Sequence, residues 1–261
     1  MPDAPLLVDD RDGGVRWLVL HRPEARNAVD ATLQAALAEA VRAAAVDPDV
    51  RALVLTGSDP AFSAGGDLSR FDDDPDPTAF RWASQELSDV VDLLERVEKP
   101  VVAAVNGVAT GVGLQLALAC DLRIASDRAR LLWRESALGL LPSHGGIARL
   151  VHLVGLAVAR DLVLGGGDLD ADAAHTRGLL SEVVPHDELH DHVTARVERI
   201  LRRGPQAYAA AKRVLAIAAG SDQRTGMLAE TLGQSLLVTT EDHRQRLDAA
   251  RRHRASPRDQ S

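Results

Sequence analysis

Short apolar runs alternate with segments of helical periodicity as far as about residue 185 of this chain. The runs 50–56 (VRALVLT) and 101–105 (VVAAV) are almost continuously apolar and rich in β-branched residues, as strands buried on both faces are. The segment 30–46 has leucine and valine at helical spacing, and Asp30 is placed to cap its first turn. This alternation predicts an α/β fold with a largely parallel sheet.

The chain of 261 residues changes character after the last predicted strand, at 180–184. From Glu188 onward the sequence is alanine-rich and has helical periodicity throughout. We therefore expect two regions, an α/β core at 1–190 and a helical C-terminal region at 191–261.

Composition and charge argue against several classes of function. A net charge of -8 and an aromatic content of 3% disfavour nucleic-acid binding, which needs a basic face and stacking side chains. No apolar stretch reaches the roughly 18–20 residues of a membrane span, and the N-terminal segment lacks the pattern of a secretory signal. The single cysteine, Cys120, allows no intrachain disulfide, and no Cys/His cluster suggests a metal. We expect a cytoplasmic protein with no metal and no membrane contact.

Two glycine-rich turns each follow a predicted buried strand. Gly65-Gly66 lies shortly after 50–56, and Gly111-Val112-Gly113 follows 101–105 and opens an apolar helix predicted at 114–120. Taken separately, each turn is explained by tight packing between a strand and a helix. The second turn is neither a Rossmann fingerprint nor a Walker A loop, because the required third glycine and the Gly-Lys-Ser/Thr sequence are missing. Taken together, two free amides at strand ends can stabilise one oxyanion.

A series of ordered motifs resembles the crotonase, or enoyl-CoA hydratase/isomerase, superfamily. The matching segments cover nearly the whole chain: 20–29 (LHRPEARNAV), 61–68 (AFSAGGDL), 99–107 (KPVVAAVNG), 111–113 (GVG), 119–125 (ACDLRIA), Glu135, 138–142 (LGLLP) and 145–146 (GG). The resemblance implies a ClpP-like spiral of ββα units followed by a helical C-terminal trimerisation region. It also implies a homotrimer or a dimer of trimers.

The same resemblance implies an acyl-CoA site, with coenzyme A as part of the substrate and no other tightly bound cofactor. In that family two backbone N–H groups bind the thioester oxygen, and they correspond here to Gly66 and Val112. The positions that match coenzyme A contacts are Ala25, Arg26, Ala64, Asp67 and Leu68. Two alternatives stay open: Arg26 is a solvated loop arginine, and Asp67 caps the following turn.

One departure from the family bears on the chemistry. The hydratases of the family carry two glutamates, and the matching positions here are Gln115 and Glu135. Glutamine cannot take a proton near neutral pH, so we expect a single-glutamate isomerase that shifts a double bond. The alternatives are an enoyl-CoA hydratase, a decarboxylase or other enolate-forming lyase and, in another class, a non-catalytic acyl-CoA-binding protein. Glu135 has the further alternative of a salt bridge to Arg130 or Arg134.

The remaining candidates are auxiliary. His144 lies in the loop 142–146, close to the active site in the family, where a histidine can serve as a second acid or base. Its alternative is an ordinary loop histidine. The acyl chain is expected to contact the segment 69–97, in which the large apolar residues Phe71, Phe80 and Trp82 either line the pocket or belong to the core.

Overall fold

A computed structural model describes residues 4–71 and 76–255 of the chain. The strands are β1 (Leu6–Arg11), β2 (Val15–Leu20), β3 (Ala52–Gly57), β4 (Ala61–Ser63), β5 (Val101–Val105), β6 (Val108–Thr110), β7 (Leu122–Ser126), β8 (Arg130–Leu132), β9 (Asp168–Asp170) and β10 (Glu182–Val184). The helices are α1 (Ala31–Val46), α2 (Pro77–Arg96), α3 (Gly111–Ala119), α4 (Gly146–Gly165), α5 (Ala171–Thr176), α6 (Leu189–Leu201), α7 (Pro205–Gly220), α8 (Gln223–Leu237) and α9 (Glu241–Ala255).

The chain divides into two compact units, residues 1–199 and 200–261. The boundary therefore lies near the end of α6, whereas the sequence placed it at 190/191. The reason is that Leu189, Val193 and Val197 on α6 are fully buried. A helix that buries a regular apolar stripe is held by the core that it covers.

The larger sheet of the described residues has six strands in the order β1-β2-β3-β5-β7-β10. Strand β1 pairs with β2 in antiparallel fashion, and the other neighbours are parallel. Strand β3 is buried along its whole length, as is β5, which explains their unbroken apolar sequences. Helix α1 packs its leucines beneath this sheet, and Asp30 caps it by accepting a hydrogen bond from Leu33 N at 2.8 Å.

A smaller sheet, in the order β4-β6-β8-β9, positions the candidate site. Strands β4, β6 and β8 are parallel, so their carboxyl ends meet at one edge. The segments that follow them, which begin at Ala64, Gly111 and Trp133, are therefore neighbours in space. Strand β9 runs antiparallel to β8 and brings Asp168 to the same edge.

The sequence patterns missed four strands, and each has a physical reason. Strand β1 exposes three of its six residues and pairs on one side only, and its apolar run, 6–8, is too short to indicate a strand. Strands β4, β6 and β9 have three residues each, which is too short for a periodicity. Helix α3 also begins at Gly111, ahead of the predicted start at 114, because the glycine turn is itself the first helical turn.

The second unit contains α7, α8 and α9, and helices α7 and α8 pack against each other. Many of its apolar side chains are exposed in the isolated chain, among them Leu215, Met227, Leu228, Leu232 and Leu236. None of the helices in the described part of the chain is long and apolar enough to cross a membrane. An exposed apolar surface of this kind is unfavourable in water.

Asn27 ties the loop before α1 to the turn between β3 and β4. Its side chain is fully buried, and its Nδ2 donates to the carbonyl oxygens of Ser58 and Ala61, each at 2.7 Å. Its Oδ1 accepts from Arg22 N and from Ser58 Oγ, each at 3.0 Å. The residue itself has a positive φ of 59°, which asparagine tolerates better than most residues. This amide thereby fixes the segment that leads into Gly65 and Gly66.

The substitution Asn27→Ala should lower the free energy of unfolding by about 3 kcal/mol, because it leaves several buried backbone groups without partners. Urea denaturation followed by circular dichroism measures this. The control is Asp170→Ala, which removes an exposed cap from α5 and should cost about 1 kcal/mol. Equal losses in the two variants would contradict the role given to Asn27.

Candidate active site

A cavity of about 650 Å³ opens at the carboxyl edge of the smaller sheet. Its walls come from the segments after β4, β6 and β8, from α2 and from the loop before α4. Seven of the residues singled out in the sequence line it together: Ala64, Gly66, Leu68, Val112, Gln115, Glu135 and His144. The remaining three, Ala25, Arg26 and Asp67, are not part of its wall.

The two glycine turns touch each other. A Cβ placed on Gly111 would lie 3.4 Å from Gly65 Cα and 3.9 Å from Gly66 N. Gly65 has a φ of +101°, and a Cβ placed on it would lie 3.0 Å from the carbonyl oxygen of Thr110. The close approach favours glycine at position 65, and the positive φ of 51° favours glycine at position 111.

The amide of Gly66 has no acceptor among the described residues. Its neighbours are engaged, because the Gly65 carbonyl accepts from Val29 N at 2.7 Å and Asp67 N donates to the Val29 carbonyl at 3.0 Å. These two bonds hold the residues on either side of Gly66 and leave its own N–H at the cavity wall.

The amide of Val112 belongs to the first turn of α3, where N–H groups lack partners within the helix. Thr110 stands in the capping position, but its hydroxyl donates to the carbonyl of Leu132 at 3.0 Å and makes no capping bond. The positive end of the helix dipole therefore faces the cavity beside Gly66. Two such amides can hold an oxygen that gains negative charge during a reaction.

Glu135 follows β8 and begins a short 3-10 turn. Both of its carboxylate oxygens are buried and have no hydrogen-bond partner of normal geometry among the described residues. Burial raises the pKa of this carboxyl above the usual value for glutamate, although the backbone amides of Glu135 and Arg134 and the nearby Gln115 amide partly oppose the shift. A carboxyl that binds its proton more tightly and faces a cavity is suited to proton transfer.

The salt bridge considered for Glu135 does not form. Arg130 and Arg134 both pair with Asp168 at the start of β9, at 2.6 and 3.2 Å. The antiparallel pairing of β9 with β8 delivers this competing carboxylate to the same edge. Glu135 is therefore left to the cavity.

Gln115 lies on α3, one helical turn beyond Val112, and is 1% exposed. Neither its Oε1 nor its Nε2 has a partner among the described residues. Its side chain packs directly on Gly146, so closely that any Cβ at that position would collide with it. An unpaired buried amide is costly, and beside an open cavity it is available to a ligand or a water.

His144 lines the cavity from the loop before α4 and adopts a positive φ of 52°. Its Nδ1 lies 3.0 Å from the hydroxyl of Ser88 on α2. Its carbonyl accepts a hydrogen bond from Arg149 Nη1 at 2.6 Å. Sequence reasoning identified the histidine and missed its two supports. A signal for one was available, because Ser84 and Ser88 stand four residues apart and share a face of α2.

The expected coenzyme A residues are connected through the backbone. Ala64 N donates to the carbonyl of Arg26 at 2.9 Å, which places the loop containing Ala25 beside Ala64. Asp67 accepts from Ser69 N at 3.1 Å and from Arg22 Nη1 at 2.9 Å. The Ser69 hydroxyl, followed by Arg22, lowers the pKa of Asp67, so this carboxylate organises a turn and is a poor proton acceptor.

Of the large apolar residues in the segment 69–97, Phe80 lines the cavity. Trp82 is 69% exposed and does not line it. The side chain of Phe71 lies outside the described part of the structure. The exposed leucines 138, 140 and 141 complete the apolar wall, a contribution that the sequence did not indicate.

Known proteins are similar to this chain in both sequence and fold. Residues 10–253 match the model of the family described as enoyl-CoA hydratase/isomerase. A 2,3-dehydroadipyl-CoA hydratase of Escherichia coli is 34% identical over 249 residues, which cover 93% of this chain and 94% of the relative. An enoyl-CoA isomerase/hydratase of Mycosarcoma maydis is 32% identical over 253 residues, which cover 92% and 91%.

Solved structures agree with these relatives. The enoyl-CoA hydratase of Bacillus anthracis superposes with a TM-score of 0.91 at 30% identity, over 95% of this chain and 96% of its own. A putative enoyl-CoA hydratase of Thermobifida fusca in complex with CoA gives a TM-score of 0.82 at 34% identity, over 90% and 93%. The chain is thus an enzyme of the enoyl-CoA hydratase/isomerase family, with the crotonase fold.

The substitution Gly65→Ala should lower the turnover number at least tenfold, because the new Cβ pushes on Thr110 and moves both amides. The matched control is Gly13→Ala, a position that also has an unfavourable positive φ, of 77°, but no atom within 4 Å of the added Cβ. Both variants should lose similar stability, whereas the turnover number should fall in Gly65→Ala alone. Turnover of an enoyl-CoA, followed by chromatography, measures this, and equal rates would contradict it.

The buried carboxyl of Glu135 also predicts a pH dependence of stability. Because its pKa is raised in the folded protein, the wild type loses stability as pH rises from the unfolded value, near 4.5, through the folded value. Glutamine does not ionise, so Glu135→Gln should be more stable than the wild type near pH 8 and equal to it near pH 4. Urea unfolding at several pH values measures the difference.

Glu182 supplies a control of opposite sign for this experiment. Its desolvation is outweighed by hydrogen bonds and charges from His192 and Arg196, so its pKa is lowered. The variant Glu182→Gln should therefore be less stable than the wild type near pH 8. The difference in stability should shrink as the pH falls below the pKa of an ordinary glutamate. If Glu135→Gln behaved like Glu182→Gln, the assignment of Glu135 as a desolvated carboxyl would be wrong.

Proposed function

We propose that this protein binds an enoyl-CoA, stabilises the enolate of its thioester with the amides of Gly66 and Val112, and shifts its double bond with Glu135 as the single base. The observation that carries the proposal is the composition of the cavity. Glu135 is the one carboxylate that lines it in the described residues, and Gln115 occupies the position of the second.

The proposed reaction transfers one proton within the substrate. The carboxylate of Glu135 removes a proton from Cα of a 3-enoyl thioester, and the electron pair moves onto the thioester oxygen between the two amides. The electron pair on the oxygen then restores the C=O bond and the enolate π pair forms the new Cα=Cβ bond. The π pair of the original Cβ=Cγ bond takes the proton from Glu135 at Cγ. No water or redox partner is consumed, so one carboxyl group suffices.

The binding of coenzyme A is proposed for Ala25, Arg26, Ala64, Asp67 and Leu68. The T. fusca relative is described in complex with CoA. In this chain, Ala64 and Leu68 line the cavity beside the first amide, and the loop that contains Arg26 is hydrogen-bonded to Ala64. We propose that Arg26, which is exposed and carries a permanent charge, meets a phosphate of the coenzyme.

We further propose that the chain assembles through its second unit, as a homotrimer or a dimer of trimers. The exposed leucines of α7 and α8 support assembly, because an apolar surface of this kind is unfavourable in water. We also propose that the protein works in the cytoplasm. Its one cysteine, Cys120, is buried and allows no intrachain disulfide, which fits a reducing compartment.

Hydration of a 2-enoyl-CoA is the second candidate. The E. coli relative is named a hydratase and the M. maydis relative an isomerase/hydratase, so relatives at similar identity carry both names. The buried Gln115 amide can hold a water molecule through its unpaired atoms. Gln115 cannot, however, take the proton of that water, which is why double-bond migration is placed first.

The test compares two substrates with three proteins. Wild type should convert a 3-enoyl-CoA to the 2-enoyl isomer. Glu135→Gln should lower this rate at least a thousandfold, because no other carboxylate of the described residues lines the cavity. Glu182→Gln, a substitution at a remote strand, should leave the rate unchanged. If hydration of a 2-enoyl-CoA were faster than isomerisation, the second candidate would replace the first. Binding of acyl-CoA with neither reaction would indicate the non-catalytic alternative.

A further inference from the structure

The ring of His144 is held in one tautomer by α2. Ser88 Oγ lies 3.0 Å from His144 Nδ1 and also 2.9 Å from the carbonyl oxygen of Ser84. A hydroxyl has one hydrogen and a carbonyl oxygen has none to give, so the hydrogen of Ser88 is directed at Ser84. Nδ1 of His144 is therefore the donor to Ser88, and Nε2 carries the lone pair of the neutral ring.

The backbone of His144 is held separately by Arg149. This arginine is 9% exposed, and its Nη1 donates to the His144 carbonyl at 2.6 Å. Its Nη2 and Nε bind Glu95 on α2 at 2.7 and 3.0 Å, and Nη2 also binds Asp92. His144 and Gly145 both have positive φ, at 52° and 78°, a conformation that a histidine keeps only when its surroundings enforce it.

The loop that carries His144 also covers Gln115. Gly146, two residues further on, packs on the Gln115 side chain with no room for a Cβ. His144, Gln115 and Glu135 line one cavity. A group able to exchange protons thus shares the cavity with Gln115, which stands at the position of the missing second carboxylate.

We propose that His144 is a second proton-handling group of this site, and that it gives the protein a slower second activity, the hydration of 2-enoyl-CoA. Ser88 and Arg149 act as positioning residues that fix its tautomer and its place. This inference rests on the proposed function, because it uses the same enolate and the same two amides. It assigns the activation of water, which needs a proton acceptor that Gln115 cannot provide, to the histidine in the loop before α4.

The proposed hydration balances without any further reactant. Nε2 of His144 takes a proton from a water molecule as the water oxygen bonds to Cβ of the enoyl thioester. The π electrons of the Cα–Cβ bond pass to the thioester oxygen, and protonated Glu135 then gives its proton to Cα. Over the whole reaction one C–O and one C–H bond form, while the Cα–Cβ π bond and one O–H bond of water break. Proton exchange with solvent restores His144 and Glu135.

The experiment measures hydration of a 2-enoyl-CoA and isomerisation of a 3-enoyl-CoA by each variant. His144→Ala should lower the turnover number for hydration at least tenfold more than it lowers isomerisation, within the effect expected of one acid-base group. Its KM should stay within about twofold of the wild-type value, since the amides and the coenzyme contacts remain. The matched control is His152→Ala, an exposed histidine of α4, which should change neither rate.

The positioning residues provide a second readout that loss of stability alone would not move. Ser88→Ala should lower the ratio of hydration to isomerisation, and Ser88→Thr, which keeps the hydroxyl, should restore it. Arg149→Met should lower the same ratio. The assay is run at a temperature at which this variant is fully folded.

Failure of this inference is distinct from failure of the proposed function. A wild type that isomerises but does not hydrate would overturn the role of His144, as would a His144→Ala variant whose two rates fall equally. A wild type that does neither, and that does not exchange the α-proton of a saturated acyl-CoA in heavy water, would overturn the proposed function itself. Persistence of a normal ratio in Ser88→Ala would refute the assigned tautomer.

Discussion

The site depends on a contact between two backbones at Gly65 and Gly111. The two turns approach closely enough that a Cβ on Gly65 would press on the Thr110 carbonyl, and a Cβ on Gly111 would contact Gly65. That approach places the amide of Gly66 beside the first turn of α3, and neither amide is consumed by the fold. The smaller sheet enforces it, because β4 and β6 are paired in parallel and end at the same edge. Donors held this way need no reorganisation when charge develops.

Burial also changes the chemistry of Glu135, which lies with Gln115 in the cavity beside the two glycine turns. Burial raises the pKa of Glu135, and the only neighbouring side chain that favours its charged form is the neutral Gln115. The cations that could have neutralised it, Arg130 and Arg134, are drawn away by Asp168. A charged partner would have turned Glu135 into a structural ion pair. Its absence keeps the carboxyl able to take up and release a proton.

Much of this architecture follows from local pattern. The strand 101–105 and the helix capped by Asp30 were predictable, because each depends on an apolar run or a capping residue that stands in the sequence. The three-residue strands of the smaller sheet were not, since their pairing depends on partners distant along the chain. The family match places the chain in its superfamily, yet the roles of individual site residues stay predictions.

The supports of the site were harder to foresee than its members. Asn27 and Arg149 lie far in sequence from the groups that they hold, and an isolated asparagine or arginine carries no signal of burial. Arg149 donates hydrogen bonds to two acidic residues of α2 and to one carbonyl, and only the folded chain brings these acceptors together. Sequence motifs therefore indicate which groups face the substrate, whereas tertiary contacts decide their orientation and tautomer.

The division of labour between backbone and side chains explains how one fold serves related reactions. The amides of Gly66 and Val112 are fixed by chain geometry, and no side-chain substitution elsewhere in the cavity removes them. In the proposed reaction they make a thioester enolate the favoured intermediate. The fate of that enolate depends on which side chains can move protons around it, here Glu135 and the loop that carries His144. Replacing a carboxylate by Gln115 thus leaves the intermediate intact and changes only the route by which it is formed and consumed.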